Sequence, residues 1–213
     1  MPEVQTFIAF LRRLGVKAET QIVAYDAGGD MFAARLWFLC KYIGHAATAV
    51  LDGGFAAWTA EQKPVSTAVP TPPGNGTIAV RMRGELAVDA DDILRSLDAG
   101  DLQLLDARSA ERYSGEVEPV DPVAGHIPGA RNRSFRENFD ERGFFKRPET
   151  LRDEFSALRL RPDRVVHQCG SGVSAAVNML AMEHAGIAGT RLYPGSWSEW
   201  CSDPSRPVEV SRS

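Results

Sequence analysis

The sequence predicts an α/β protein of two similar three-layer domains, each a central parallel sheet with helices on both faces, the first domain incomplete. Two observations carry this expectation. Short apolar runs of strand length alternate with longer stretches at helical spacing, the pattern of βαβ units. The second half of the chain, slid over the first, also repeats it. At 213 residues the chain can bury a sizeable core.

In order, Val4, Phe7, Ile8, Leu11 and Leu14 fall at helical spacing between Pro2 and Gly15, an amphipathic helix. Gln21 to Tyr25 reads as a short buried strand, Asp26 to Asp30 as a loop, and Met31 to Ile43 as a helix stopped by Gly44. A second short strand covers Thr48 to Leu51, and Asp52-Gly53-Gly54 leads into a helix through Trp58. From Glu61 to Gly84 the composition shifts to Pro, Gly and Thr. This assigns residues 1–66 to the first domain, 67–84 to a linker and 85–210 to the second domain.

Asp89 or Asp91 caps a helix through Leu97, Leu102 to Leu105 is a buried strand, and Asp106-Ala107-Arg108 falls at its C-terminal end. Ser114 to Pro128 is irregular, and Gly125-His126-Ile127-Pro128-Gly129-Ala130 is a tight turn back toward the sheet. Then come an amphipathic helix (Pro148 to Leu158), a strand (Arg164 to His167), a helix (Val173 to His184), a strand (Arg191 to Tyr193) and a last helix from Gly195 to Trp200.

The chemistry concentrates at Cys169-Gly170-Ser171-Gly172-Val173-Ser174, between that strand and helix. In open parallel sheets ligands bind at this end of the strands. Backbone N–H groups of Gly170 to Ser174, turned inward beside the positive helix end, would hold an anion on Cys169. A buried structural cysteine beside a glycine-rich turn has the same local sequence, and the rest of the chain has to separate the two. The repeat bears on it. Val166-His167-Gln168-Cys169 falls on Val23-Ala24-Tyr25-Asp26, Gly195-Ser196-Trp197 on Gly53-Gly54-Phe55, and Arg206-Pro207-Val208 on Lys63-Pro64-Val65. The first copy thus has Asp26 in place of the thiol. Nothing in it answers to Leu102 through Ala130, so the chain reads as truncated at its N-terminus, with an open sheet edge prone to self-association.

Composition narrows the class. Hydrophobic content of 44% and charged content of 24% are ordinary for a soluble protein, and a net charge of −4 gives no reason to expect nucleic acid or an anionic membrane as partner. No apolar stretch reaches spanning length and Met1-Pro2-Glu3 does not begin a secretory signal, so a cytoplasmic protein is expected. Cys40, Cys169 and Cys201 form neither a disulfide framework nor a metal-ligand spacing. Cys40 and Cys201 are expected in the core.

Four ordered motifs resemble the tandem-domain rhodanese family, the thiosulfate and 3-mercaptopyruvate sulfurtransferases. They are Leu104-Leu105-Asp106-Ala107-Arg108, Gly125 to Ala130, Cys169 to Ala175 and Gly195-Ser196-Trp197-Ser198-Glu199-Trp200. The resemblance implies rhodanese-like domains and a two-step cycle without metal or organic cofactor. Cys169 takes a sulfane sulfur from a small-molecule donor as a persulfide and passes it to cyanide or a thiol. Catalytic roles fall on Cys169 and Ser171. Substrate binding falls on Arg112, Gly170, Gly172, Val173 and Ser174, with support from Asp106 and Trp197; Trp197 and Trp200 at helical spacing read first as core, with a pocket wall as the second role open to Trp197. Gly170-Ser171-Gly172 matches the mercaptopyruvate type, and Arg112 matches one of two arginines that hold the substrate carboxylate there. Val120 or Asp121 stands where the second is expected. Ser171 matches a serine that works with an Asp and a His of the first domain, and those partners would fall in the missing segment.

Two rival classes are weaker. A cysteine phosphatase needs Cys-x5-Arg, and the sixth residue after Cys169 is Ala175. A truncated rhodanese acting as a catalytically weak binding or regulatory module would not need the intact cysteine loop.

Overall fold

The structure, a computed structural model, describes residues 1–29 and 31–211. The chain divides into two compact units, Met1–Gly84 and Glu85–Ser213. Among the described residues no helix is long and apolar enough to cross a membrane.

The first unit runs α1 (Val4–Arg13), β1 (Ile22–Ala24), α2 (Met31–Tyr42), β2 (Thr48–Val50) and α3 (Gly54–Ala60). The Glu3 carboxylate caps α1, accepting from Gln5 N–H at 2.9 Å and Thr6 N–H at 2.6 Å. Phe7, Ile8 and Leu11 on its buried face pack with Val16, Cys40, Ile43 and Ile78. Strands β1 and β2 are parallel neighbours, Val23 opposite Ala49.

Ile78 lies in the stretch whose composition reads as a linker, yet it is buried in the core of the first unit. Around it the backbone is tied down: Gly76 N–H donates to Arg12 O at 2.9 Å, Arg81 N–H to Ile43 O at 2.9 Å and Arg83 N–H to Tyr42 O at 2.8 Å. Two glycines permit the approach. A Cβ on Gly76 would lie 2.6 Å from Val16 O, and one on Gly44 2.4 Å from Arg81 O. Residues 76–83 are therefore a strap on the first unit, which Pro and Gly content alone does not distinguish from a free linker.

The second unit runs α4 (Ala90–Ala99), β3 (Gln103–Asp106), α5 (Ala110–Ser114), β4 (Arg131–Asn132), α6 (Pro148–Ala157), β5 (Val165–Gln168), α7 (Ala175–His184), β6 (Arg191–Leu192) and α8 (Ser196–Trp200). Asp89, not Asp91, caps α4, through a reciprocal box with Asp92. The sheet is parallel throughout, ordered β4-β3-β5-β6. Strand alternation sends Leu104 and Val166 to one face, against Ile93, Trp197 and Trp200, and Leu105 and Val165 to the other, against Leu151, Phe155 and Met182. Burial on both faces is what a parallel sheet requires, and it leaves only the strand ends free for chemistry. Cys40 and Cys201 are both buried.

The same hydrogen bonds recur at corresponding places in the two units. Phe55 N–H donates to Asp26 O at 2.9 Å as Trp197 N–H does to Cys169 O at 3.0 Å. Trp58 Nε1–H reaches Pro64 O at 2.9 Å as Trp200 Nε1–H reaches Pro207 O at 2.8 Å. The units differ in cover. Strand β5 lies between β3 and β6, whereas among the described residues β1 has β2 alone. Val23 is 53% exposed where Val166 is fully buried, and Phe55 is 42% exposed where Trp197 is fully buried.

One buried group makes stability depend on pH. Both ring nitrogens of His167, within β5, lack hydrogen-bond partners among the described residues. Burial, and secondarily the Arg133 cation, push its imidazole from 6.5 down to about 3. The unfolded chain then binds a proton below pH 6.5 that the folded chain refuses, so stability is complete above pH 6.5 and is lost as pH falls toward about 3. Urea denaturation should show a loss on the order of 2 kcal/mol between pH 7 and pH 5 from this residue, absent in His167→Leu. Equal pH slopes in the two proteins would contradict it.

Candidate active site

Strand β5 ends at Gln168, opposite Asp106 of β3, so Cys169 is the first residue past the sheet. The first turn of α8 clamps it. Cys169 N–H donates to Ser196 Oγ at 3.1 Å, the Ser196 hydroxyl donates to Tyr193 O at 2.9 Å, and Ser198 N–H donates to Gly170 O at 2.8 Å. Ser196 holds a φ of 55°, an uncommon left-handed conformation for a residue with a side chain. Its counterpart Gly54 has φ 58°. Glycine is the ordinary choice there, and serine appears where a hydroxyl bridges Tyr193 and Cys169.

Beyond the cysteine the chain curls tightly. Gly172 has φ +75° and a Cβ there would lie 2.3 Å from Pro194 O, so glycine alone fits. Among the described residues the N–H groups of Gly170, Ser171, Val173, Ser174 and Ala175 have no acceptor, while the next two, Ala176 and Val177, bond Val173 O and Ser174 O. The first unit illustrates what such a loop binds. The Asp26 carboxylate accepts N–H bonds from Gly28 at 3.0 Å, Phe32 at 3.0 Å and Ala33 at 3.2 Å, a negative group at the position of Cys169.

A chain of charges borders this loop. Asp106 is fully buried and accepts from the Arg108 backbone N–H at 2.9 Å and from its guanidinium at 2.7 Å. It therefore caps the turn and holds the arginine together. Arg108 also donates to Gly125 O at 2.8 Å and Glu118 at 3.3 Å, and its guanidinium lies 5.0 Å from the Trp197 ring centre. Glu118 in turn accepts from Arg112 at 2.6 Å and from the N–H groups of Val120 and Asp121 at 3.0 and 3.2 Å. Burial pushes its carboxyl up, but those hydrogen bonds outweigh it and the net shift is downward. Arg112 stands beside the cysteine loop: a Cβ on Gly170 would be 3.4 Å from its Nη1.

Other sequence-predicted residues fall as follows. Val173 and Ser174 are half-buried at the start of α7, and Ser171 is exposed with no hydrogen-bond partner among the described residues. Trp197 takes the core position that its helical spacing with Trp200 favours. It is fully buried among Leu104, Val166 and Trp200, with Nε1–H on Val123 O at 2.9 Å, so it supports the 118–123 segment and does not wall a pocket. His126 braces its turn through Tyr113 O at 2.7 Å. Glu118 and Ser196 were missed as site residues. Ser196 was detectable from Gly54 in the first copy, whereas nothing in the local pattern marks Glu118.

A rhodanese-like domain model matches residues 3–61 and 89–203, most of the chain. The chain belongs to the rhodanese-like family. It is an enzyme of the sulfurtransferase class, as are the curated relatives over the same span. It is 43% identical to the probable 3-mercaptopyruvate sulfurtransferase of Pseudomonas aeruginosa, over 98% of this chain and 74% of that protein. It is 38% identical to the putative thiosulfate sulfurtransferase SseB of Mycobacterium tuberculosis, over 98% of this chain and 73% of that one. The crystal structure of the Tum1 protein from Saccharomyces cerevisiae superposes on this rhodanese-family chain with a TM-score of 0.87 at 26% identity, covering 100% of this chain and 77% of its own.

Ser196 offers a direct check of the clamp. Ser196→Ala keeps the strained φ but frees a buried Cys169 N–H, and should cost about 1–3 kcal/mol in urea denaturation. Ser196→Gly loses the same bond but relieves the backbone, so it should cost less. A negligible cost for Ser196→Ala would mean the hydroxyl does not hold the loop, and a larger cost for Ser196→Gly than for Ser196→Ala would mean the backbone at 196 is not strained.

Proposed function

We propose that the chain moves a sulfane sulfur from 3-mercaptopyruvate or thiosulfate, through a persulfide on Cys169, to cyanide or a thiol. The observation that carries this reading is that Cys169, 2% exposed, opens a loop in which the N–H groups of Gly170, Ser171, Val173 and Ser174 have no acceptor among the described residues, with Arg112 beside Gly170. The Cys169 thiolate attacks the donor sulfur. With mercaptopyruvate the C–S bond breaks as the S–S bond forms, the electron pair leaves as the pyruvate enolate, and that enolate takes up the proton of the donor thiol to become pyruvate. With thiosulfate the leaving group is sulfite, and no proton moves. An acceptor thiolate or cyanide then attacks the outer sulfur and returns the Cys169 thiolate.

Roles follow from position. The amides of Gly170, Ser171, Val173 and Ser174 bind the negative outer sulfur, and the helix end at α7 adds to the same field. Gly172 is the residue that lets the curl close against Pro194. Arg112 takes the donor's anionic end on its Nη1 side, and Ser171, exposed on the loop, offers its hydroxyl to the leaving group. Asp106 and Trp197 act through Arg108, as positioning residues. The Gly-Ser-Gly loop supports mercaptopyruvate as the better donor, because it adds no cation for a second negative charge.

Intact-mass measurement after donor treatment should show one added sulfur, removed by cyanide and absent in Cys169→Ser. Transfer activity retained by Cys169→Ser would overturn the reading. Separately, Arg112→Ala should raise KM for mercaptopyruvate by about 10-fold, as for a lost charge-assisted hydrogen bond. Unchanged steady-state kinetics would remove Arg112 from the site.

A further inference from the structure

We propose that Asp121 is a specificity-determining residue, which competes with the donor for Arg112 and disfavours donors in proportion to their negative charge. The inference rests on the sulfur-transfer reading above. It starts from how Arg112 is occupied. Glu118 binds it at two points, Nη2 at 2.6 Å and Nε at 3.3 Å, and Asp121 Oδ2 stands 3.3 Å from the same Nη2. Only Nη1, the nitrogen beside Gly170, has no acceptor among the described residues.

The two carboxylates are not equivalent. Glu118, with a side chain 3% exposed, accepts from Arg108, Arg112 and two backbone N–H groups, so it is part of the frame that holds the segment. Asp121, 7% exposed, has one side-chain partner among the described residues, Arg112. Removing its charge leaves Glu118 and its donors in place. In the connected set, the cations of Arg108 and Arg112 face the carboxylates of Asp106, Glu118 and Asp121, which leaves one negative charge uncompensated. An anionic donor arriving at Nη1 meets an arginine already neutralised and a neighbouring carboxylate that repels it. For a fixed geometry that repulsion is linear in donor charge, so its effect on KM is multiplicative.

The test is steady-state kinetics of the whole chain with two donors, 3-mercaptopyruvate for one carboxylate charge and thiosulfate for two. Asp121→Asn should lower KM for mercaptopyruvate about 3-fold and for thiosulfate by roughly the square of that, about 9-fold, at low salt. Asp121→Glu should keep the wild-type discrimination. In the wild-type protein the same repulsion should make the KM ratio of thiosulfate to mercaptopyruvate fall as salt rises, a readout that needs no variant. An equal change in both KM values, or none, would overturn the proposal, as would a salt-independent ratio. Failure of both donors to add sulfur to Cys169 would overturn the sulfur-transfer reading and this inference with it, so mass measurement separates the two failures.

Discussion

The buried pair of Asp106 and Arg108 is the interaction on which the second unit is organised. Neither side chain has meaningful access to water, and each would be costly to bury alone. Together they satisfy one another and leave Arg108 with donors to spare, which reach Gly125 O and Glu118. That reach ties the end of β3 to the turn at Gly125 and to the segment carrying Glu118 and Asp121. Glu118 in turn holds Arg112 beside Gly170 of the cysteine loop. Trp197 lies under the Arg108 guanidinium, and the same helical turn supplies Ser196 to the Cys169 amide. Sheet end, arginine and Cys169 are thereby positioned by one connected set of contacts.

The two copies carry the same loop frame with different side-chain chemistry. In each, a strand delivers one residue to the start of a helix, and the helical residue at Phe55 or Trp197 bonds back to its carbonyl. In the first copy that residue brings its own carboxylate, which takes the N–H groups at Gly28, Phe32 and Ala33 and leaves none of those three for a ligand. In the second copy the side chain is a thiol, and the corresponding N–H groups stay available. In the first copy the backbone binds the Asp26 carboxylate; in the second we propose that it binds the sulfur carried by Cys169. The difference rests on a single side chain, Asp26 or Cys169.

Much of this was legible in the sequence because it rests on patterns that local chemistry enforces. The apolar run of Val165 and Val166, the glycines at 170 and 172 and the alanines opening α7 specify strand, curl and helix in turn. The repeat made Asp26 informative. What was not legible depends on contacts distant in the chain. The two-residue strand β4 (Arg131–Asn132) has no apolar signature, since it exists through pairing with Leu105 and Asp106. The Ile78 strap looks like a linker until α1 and α2 are seen beneath it. Glu118 lies in an irregular segment whose conformation is dictated by Arg108, and no periodicity identifies it. The spacing of Trp197 and Trp200 favours core without excluding a pocket wall, because an indole suits either role, and packing against Leu104 of β3 and Val166 of β5 makes Trp197 core.

The central claim is that the loop after Cys169 exists to hold a negative sulfur. A high-resolution crystal structure of the donor-treated protein tests it most directly. The account predicts the outer sulfur of a Cys169 persulfide within hydrogen-bonding distance of several N–H groups from Gly170 to Ala175, with Arg112 still beside Gly170. An outer sulfur turned toward solvent, with those N–H groups bonded to water or to other protein atoms, would contradict it.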